Sequence, residues 1–238
     1  MQPMSAAVMS GRHKEVHVAT IPVNFFRAEI EWTFEDLAEY ARIMEDQITR
    51  LANAERIRLS RMSFCDEADE SLYWEEYRWR FESTIPRILR YSCITSLLSV
   101  IEVSLDRICE KTCEYRKPST SYKRYYKEKK KKDKQSFLEI ALSYLKMINV
   151  DDTIPDDAFL PTVNRLKTIR DHIVHANGHV IDGEKRKGLT EAIRTVEGFT
   201  VKRECIEVDT GTCERVCRET KQWFDRLMDA CGSPYSRA

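Results

Sequence analysis

The stretch from Ile88 to Ile108, ILRYSCITSLLSVIEVSLDRI, decides the fold. Apolar side chains recur through it at helical spacing, and only four charged residues interrupt them. A helix that is nearly apolar around its whole circumference is buried. The pattern therefore predicts the central core helix, around which the rest of the chain is arranged.

Helical spacing continues on both sides of this core stretch. Thr33, followed by acids, predicts the start of a first helix that runs to about Arg61. A second helical region runs from Asp69 into the core stretch, with a break expected near Pro86. Further helices are predicted over 136–147, 159–177, 189–196 and 210–232. The one strand region, 199–208, predicts a small β-hairpin before the last helix.

Composition agrees with a helical protein. The 238 residues include 33% charged residues and only 7 Gly and 7 Pro, which favours long solvated helices over a turn-rich β protein. The formal net charge of +0 carries no global signal for binding polyanions. Residues 1–17 contain no signal-peptide core, and charges break the apolar stretches short of a membrane span. We expect a cytoplasmic protein with no membrane association, whose 8 cysteines are free thiols.

The organisation predicted is a mainly all-α chain. Residues 1–30 are expected to be a flexible N-terminal lead-in. Residues 31–238 form one helical domain, with long N-terminal helices and a core at about 85–231. Residues 115–135, rich in lysine and tyrosine, are expected to form a basic loop.

The stretch from Thr168 to Gly178, TIRDHIVHANG, holds the residues that point to chemistry. Arginine grips phosphate through a fork of donors, and histidine transfers protons near neutral pH. Asp171 lies one helical turn before His175, and can accept its ring proton. Arg170 lies about 140° around the helix from His175, so the two converge only if the helix distorts or a second copy supplies one of them.

Arg170, Asp171 and His175 resemble the Arg-polar-x-x-x-His motif of the HEPN superfamily, helical RNases of toxin–antitoxin, abortive-infection and CRISPR-associated systems. The context is similar, because an apolar helix precedes the motif and a hairpin and an amphipathic helix follow it. The resemblance covers about residues 85–231. It implies a HEPN-like helical bundle that acts as a homodimer.

The resemblance also implies a function, a metal-independent endoribonuclease that cleaves RNA by attack of the 2′-OH on the adjacent phosphodiester. His175 would act as general base or acid, Arg170 would hold the scissile phosphate, and Asp171 would orient one of them. No cofactor is implied. Such an enzyme would serve as a toxin or antiviral effector, restrained in related systems by an antitoxin partner, often a minimal nucleotidyltransferase.

The basic segment offers a surface for RNA. Lysines neutralise phosphates and tyrosines stack on unpaired bases, although a charge run is also typical of a merely solvated segment. The residues expected to bind RNA are Lys123, Arg124, Tyr125, Lys129, Lys130, Lys131, Lys132 and Lys167.

Two other groups of residues have the spacing of metal ligands. His172, His175 and His179 are spaced for shared metal ligation, but His172 points away from the other two. The cysteine pairs 109/113 and 213/217 resemble half-sites, but small buried residues are the simpler interpretation. We therefore expect no metal.

Two alternative functions stay open at the level of sequence. The same helical fold could bind nucleic acid or a nucleotide through Arg170 and the basic segment without cutting it. The long N-terminal helices could instead serve as a protein-interaction scaffold.

Overall fold

The protein is built almost wholly from α-helices in a computed structural model that describes residues 23–132, 135–148, 150, 159–180 and 184–232. The mainly all-α class and the hairpin before the last helix are therefore confirmed. In chain order the elements are α1 Val23–Leu59, α2 Glu67–Tyr77, the π-helical segment Arg78–Thr84, α3 Ile85–Arg116, α4 Tyr122–Lys132, α5 Phe137–Met147, α6 Phe159–Ala176, α7 Glu184–Thr195, β1 Phe199–Lys202, β2 Cys205–Val208 and α8 Thr212–Cys231.

Helix α3 is the central core helix that its apolar pattern predicts. It packs against α1, α4, α5, α6, α8 and β2. Ile94, Leu97, Leu105 and Ile108 are fully buried along it. Burial of each such side chain contributes about 1.5–3 kcal/mol, so this helix organises the fold.

Helices α1 and α8 form the most extensive helix pair. The ring of Phe34 on α1 lies 4.7 Å from that of Phe224 on α8, and Trp223 packs edge-on against Phe224. The buried guanidinium of Arg27 joins the same pair by an ion pair of 2.6 Å to Asp229. The aromatic contacts exclude water, so α8 is held along its apolar face.

The hairpin lies against the end of α6. Strands β1 and β2 pair antiparallel through a two-residue loop, Arg203 and Glu204, whose φ angles are 48° and 59°. Two positive φ angles match the right-handed twist of the flanking strands. His179, three residues beyond α6, makes an antiparallel bridge to Cys205, so the hairpin fixes where the chain goes after the motif helix.

The first helix begins earlier than its capping signal predicts. Thr33 is not an N-cap, because α1 begins at Val23 and the Thr33 hydroxyl donates to the Glu29 carbonyl inside the helix. Phe26 and Ile30 are buried, so they extend the apolar stripe of α1 by two turns toward its N-terminus. The part of the expected lead-in at 23–30 is therefore helix, and 1–22 lies outside the described residues.

The expected break near Pro86 is also absent from the described chain. The helix passes from α2 through the π-helical segment into α3, where Pro86 is buried in the first turn. The π-helical segment just before Pro86 widens the helix, which accommodates the proline ring and its missing amide donor. Two helices that the sequence separates are therefore joined end to end.

The basic stretch is a helix and not a loop, which corrects the expectation for 115–135. Residues Tyr122–Lys132 form α4, whose tyrosines at 122, 125 and 126 share one face. Tyr122 and Tyr125 both pack on the ring of Tyr144, at centroid distances of 5.1 Å and 5.4 Å. This aromatic contact with α5 supplies the tertiary support that lysine-rich helices lack by themselves.

The continuous helix Glu67–Arg116 is long and apolar enough to cross a membrane by length and composition alone. Buried core helices of water-soluble proteins meet the same criteria, and 44% of its most apolar window is buried inside the fold. Four charged residues of α3, at positions 90, 102, 107 and 110, make ion pairs with other helices, as Arg90 does with Glu45. Packing in the core therefore accounts for part of its apolar character.

Candidate functional site

Helix α6 presents the motif residues on two different sides. Leu166, Ile169 and Ile173 are buried against the core. From these positions the helical rotation turns Arg170 toward α3, and His175 toward solvent. Arg170 and His175 face different sides because burial of the apolar stripe of α6 fixes the rotation of the helix about its own axis.

Arg170 lies between two carboxylates. Its Nη2 is 3.4 Å from Oε1 of Glu102 on α3, and its Nη1 is 3.4 Å from Oδ1 of Asp171. Its side chain is 24% exposed, yet its Nε is buried and has no hydrogen-bond partner within the described part of the chain. These contacts are long for charge-assisted hydrogen bonds, so the guanidinium keeps donor capacity for a ligand.

The expected contact between Asp171 and His175 is not formed. The Asp171 carboxylate turns to Arg170 instead, and His175 is exposed at the end of α6. Neither ring nitrogen of His175 has a hydrogen-bond partner among the residues described. Arg170 and His175 are also about 7.5 Å apart along the helix axis and 140° apart around it, so one copy of the chain does not bring them together.

The end of α6 is fixed by a close approach between Gly178 and Tyr91. Asn177 and Gly178 have φ angles of 49° and 75°, which confirms the helix stop predicted there. A Cβ on Gly178 would stand 2.0 Å from the Tyr91 hydroxyl, which itself donates to the Ile206 carbonyl. Only glycine fits this position, so α3 and β2 together determine where His175 lies.

The basic residues of α4 do not act as one uniform surface. Lys123 is paired with Glu110 at 2.9 Å, and Arg124 with Glu128 at 3.0 Å. The ammonium groups of Lys129 and Lys130 lie over the rings of Tyr125 and Tyr126, so the expected RNA-binding residues Tyr125, Lys129 and Lys130 have contacts within the fold. These contacts reduce the positive charge that this part of α4 can offer to RNA.

The remaining expected RNA-binding residues lie in different places. Lys131 is exposed, and the side chain of Lys132 lies outside the described residues. Lys130 on α4 and Lys167 on α6 line one cleft of about 590 Å³, and Glu102 lines it as well. Glu102 was not singled out from the sequence, although it is the first charge after Arg90 in the apolar stretch of α3.

Three of the four cysteines in the two pairs, Cys109, Cys213 and Cys217, are buried, and Cys113 is partly buried. Cys109 makes a long contact of 3.7 Å to the Ala141 carbonyl, and burial raises its pKa well above the usual range. The hydrogen bond to Cys93 raises the pKa of both Cys213 and Cys217. The same hydrogen bonds lower the pKa of Cys93, so these shifts reflect contacts within one buried cluster of thiols. Within 23–132, 135–148, 150, 159–180 and 184–232, no group of three or more potential ligands is arranged to hold a metal ion.

Comparison with known proteins does not supply a function. No protein-family model, no curated protein and no solved structure matches the chain. The functional assignment therefore rests on the residues and their arrangement.

Proposed function

We propose that the protein is a metal-independent endoribonuclease of the HEPN type. The observation that carries the proposal is the incompletely bonded Arg170, which contacts the cleft-lining Glu102 and lies five residues before an exposed His175. A guanidinium with open donors suits the oxygens of a phosphate, and an accessible imidazole suits proton transfer. Both groups lie on one rigid helix, which holds catalytic side chains more firmly than a loop does.

The reaction proposed is transesterification. The RNA 2′-oxygen bonds to the adjacent phosphorus while the bond from phosphorus to the 5′-oxygen breaks, which leaves a 2′,3′-cyclic phosphate. One imidazole takes the 2′-hydroxyl proton and a protonated imidazole returns a proton to the departing 5′-oxygen, each worth about 10²–10⁴-fold in rate. Arg170 offsets the charge on the phosphorane, and Asp171 orients Arg170 through their contact of 3.4 Å.

The site proposed is composite and needs two copies of the chain. Arg170 turns toward α3 while His175 faces solvent, so a two-fold arrangement of α6 helices would bring the arginine of each copy near the histidine of the other. Each copy would then contribute to two equivalent sites. This proposal predicts a homodimer in solution.

The cellular role proposed is that of a cytoplasmic toxin or antiviral effector that cleaves RNA. Such an activity damages its own cell and needs restraint. By resemblance to HEPN systems, the restraint would come from an antitoxin partner, a minimal nucleotidyltransferase in many cases.

The test is a cleavage assay on total RNA in EDTA, followed by analysis of the product ends. We expect cleavage that leaves 2′,3′-cyclic phosphates and is lost in both Arg170→Ala and His175→Ala. His172→Ala is the matched control, because His172 lies on the same helix and, among the described residues, its ring bonds to the Thr168 carbonyl alone, at 3.0 Å. Cleavage that survives both motif variants, or that stops in His172→Ala alone, would contradict the proposal.

The second candidate is a nucleic-acid-binding module that does not cut. The observation in its favour is that His175 and Asp171 do not touch, so the catalytic group lacks the orienting partner that general bases often have. The same assay separates the two functions. A folded dimeric protein that binds RNA, through Arg170 and Lys167, without producing cyclic ends would be the binding module.

A further inference from the structure

A cleft lies beside the motif helix. It has a volume of about 590 Å³ and lies between α3, α4, the start of α5, and α6. That volume is within the range of small-molecule sites. The described residues that line it are Glu102, Val103, Asp106, Arg107, Tyr126, Lys130, Gln135, Ser136, Phe137, Ile140 and Lys167.

Glu102 connects this cleft to the motif. Its carboxylate lines the cleft and is also 3.4 Å from Arg170, with 44% of the side chain exposed. Lys167 lies one turn before Arg170 on α6 and lines the cleft on the same side. A ligand in the cleft therefore reaches Glu102 and Lys167 directly and Arg170 next.

The lining offers complementary groups for a nucleotide. Tyr126 and Phe137 place two aromatic rings, 5.7 Å apart, on one wall, and a nucleobase stacks on such faces. Lys130, whose ammonium lies 5.4 Å over the Tyr126 ring, and Lys167 supply positive charge for phosphate, and a base that stacks on Tyr126 displaces Lys130 from that face. Arg107 is already bonded to Glu29 in two places, at 2.9 Å and 2.7 Å, so it shapes the wall and does not recruit anions.

The Glu102 carboxylate determines which base the cleft can recognise. A carboxylate only accepts hydrogen bonds, and its two oxygens suit two adjacent donors. On its Watson–Crick edge guanine presents two adjacent donors, N1–H and the N2 amino group. Adenine, cytosine and uracil each present a single donor beside an acceptor, which a carboxylate would oppose.

We propose that this cleft is a guanine-recognition subsite for the nucleotide whose phosphate reaches Arg170. Glu102 accepts from N1–H and N2–H of the base, Tyr126 stacks on its face, and Lys167 holds its 3′-phosphate. Because Glu102 turns from Arg170 to the base, guanine binding frees the Arg170 fork for the phosphate. The assignment rests on the proposed RNase function for its role in cleavage, but the binding event itself does not need cleavage.

The test is titration calorimetry of the full chain with the four ribonucleoside 3′-monophosphates. We expect guanosine 3′-monophosphate to bind at least about tenfold more tightly than the other three, since a good bidentate pair discriminates by that much or more. Glu102→Gln should reduce the preference to within about twofold, because an amide offers one acceptor and one donor. Equal binding of the four nucleotides by the wild type, or an undiminished preference in Glu102→Gln, would overturn the assignment.

Matched variants separate recognition from general effects. Glu114→Gln, a carboxylate on the same helix that is bonded to Lys111 at 2.6 Å outside the cleft, should leave all four affinities unchanged. Tyr126→Leu keeps apolar volume against Phe137 and removes the stacking face, so all four nucleotides should bind more weakly. Lys167→Gln should weaken all four about equally and lower the dependence of binding on salt.

Cleavage mapping in parallel distinguishes this subsite from the proposed function. Cleavage on the 3′ side of guanosines, shifted to mixed positions in Glu102→Gln, would support both. Cleavage with no guanosine preference and no selective nucleotide binding would overturn the subsite and leave the RNase intact. Selective binding of guanosine 3′-monophosphate without any cleavage would support the subsite and overturn the RNase.

Discussion

Arg90 and Arg170 both face carboxylates across a helix interface, but they are bonded very differently. Arg90 is 12% exposed and donates to both oxygens of Glu45 at 2.7 Å, to the Val208 carbonyl at 2.8 Å and to the Thr210 hydroxyl at 2.9 Å. Arg170 is 24% exposed, meets its two carboxylates at 3.4 Å, and has a buried Nε without a partner in the described chain.

The difference separates a structural arginine from a candidate functional one. Arg90 fills its donors within the fold and ties α1, α3 and the hairpin together, so a ligand could add little. Arg170 keeps open donors because its partners are too distant to satisfy the whole fork. Incomplete bonding of a partly buried guanidinium is costly unless a ligand completes it, which is typical of functional sites.

The largest expected effect is the loss of stability in Arg90→Ala. The change leaves the largely buried Glu45 without its cation and removes one bond to Val208 of β2 and one to Thr210 beyond it, so the free energy of unfolding should fall by about 3 kcal/mol or more. Urea denaturation at neutral pH measures it. A loss as small as that of an exposed pair would mean that the Arg90 contacts are not structural.

Arg170→Ala should leave the stability of the fold nearly unchanged, in contrast to Arg90→Ala. Its long contacts contribute little to stability, so the free energy of unfolding should change by less than about 1 kcal/mol. The proposed RNA cleavage should fall about 10²–10³-fold, as enzyme rates do when one charge-stabilising donor is removed. Cleavage rate and denaturation are measured on the same preparation, and a large destabilisation with unchanged cleavage would reverse the comparison.

Gly178→Ala tests whether the close approach of Tyr91 constrains the turn at the end of α6. The added methyl would clash with Tyr91, and the alanine backbone would have to adopt a φ of 75°. The free energy of unfolding should therefore fall by about 2–3 kcal/mol. Gly188→Ala is the matched control, because a Cβ there meets nothing within 4 Å. Equal stability of the two variants would show that the approach of Tyr91 does not constrain this turn.

The smallest effect concerns the exposed pair of Glu29 and Arg107. Hydrogen bonds from Arg107 lower the pKa of Glu29 below its usual value of 4.5. This pair therefore stabilises the fold above that value, and the stabilisation is lost as the pH falls through the lowered pKa of the folded state. At 40% exposure, Glu29→Gln should cost less than about 1 kcal/mol at pH 7.

Thermal unfolding at neutral and at acidic pH measures this contribution. The difference in Tm between the wild type and Glu29→Gln should shrink as the solution is acidified below the usual carboxyl pKa. A difference that is the same at both pH values would show that the ion pair is not its source.

The helices and their order could be predicted largely from the sequence. The apolar period of α3, the glycine stop after α6 and the alternation at 199–208 are local signals, and all three were correctly interpreted. Element boundaries failed where tertiary contacts overrode local signals. Thr33 and the acids after it form a typical N-cap sequence, but Phe26 and Ile30 are buried in the core, so the helix extends past Thr33 toward the N-terminus.

The helical state of α4 was missed for a similar reason. Its lysines indicate a solvated segment, and no local pattern shows that Tyr122 and Tyr125 would find Tyr144 on another helix. Sequence spacing likewise identified Arg170 and His175 as candidates and anticipated that one straight helix keeps them apart. It did not reveal Glu102, because contact between α3 and α6 is set by packing and joins residues 68 positions apart.

The sequence by itself determined a helical chain organised around α3, with a short hairpin and an arginine–histidine motif near the end of α6, because periodicity and helix stops are local properties. Only the tertiary structure decided what each cation does. The hydrogen-bond donors of Arg90 are satisfied within the fold, whereas those of Arg170 are not. Lys123 pairs with Glu110 and Lys129 lies over Tyr125, while Lys130, Lys167 and Glu102 line one cleft. Charge and hydrogen bonding depend on distances across helices, which residue order alone does not specify.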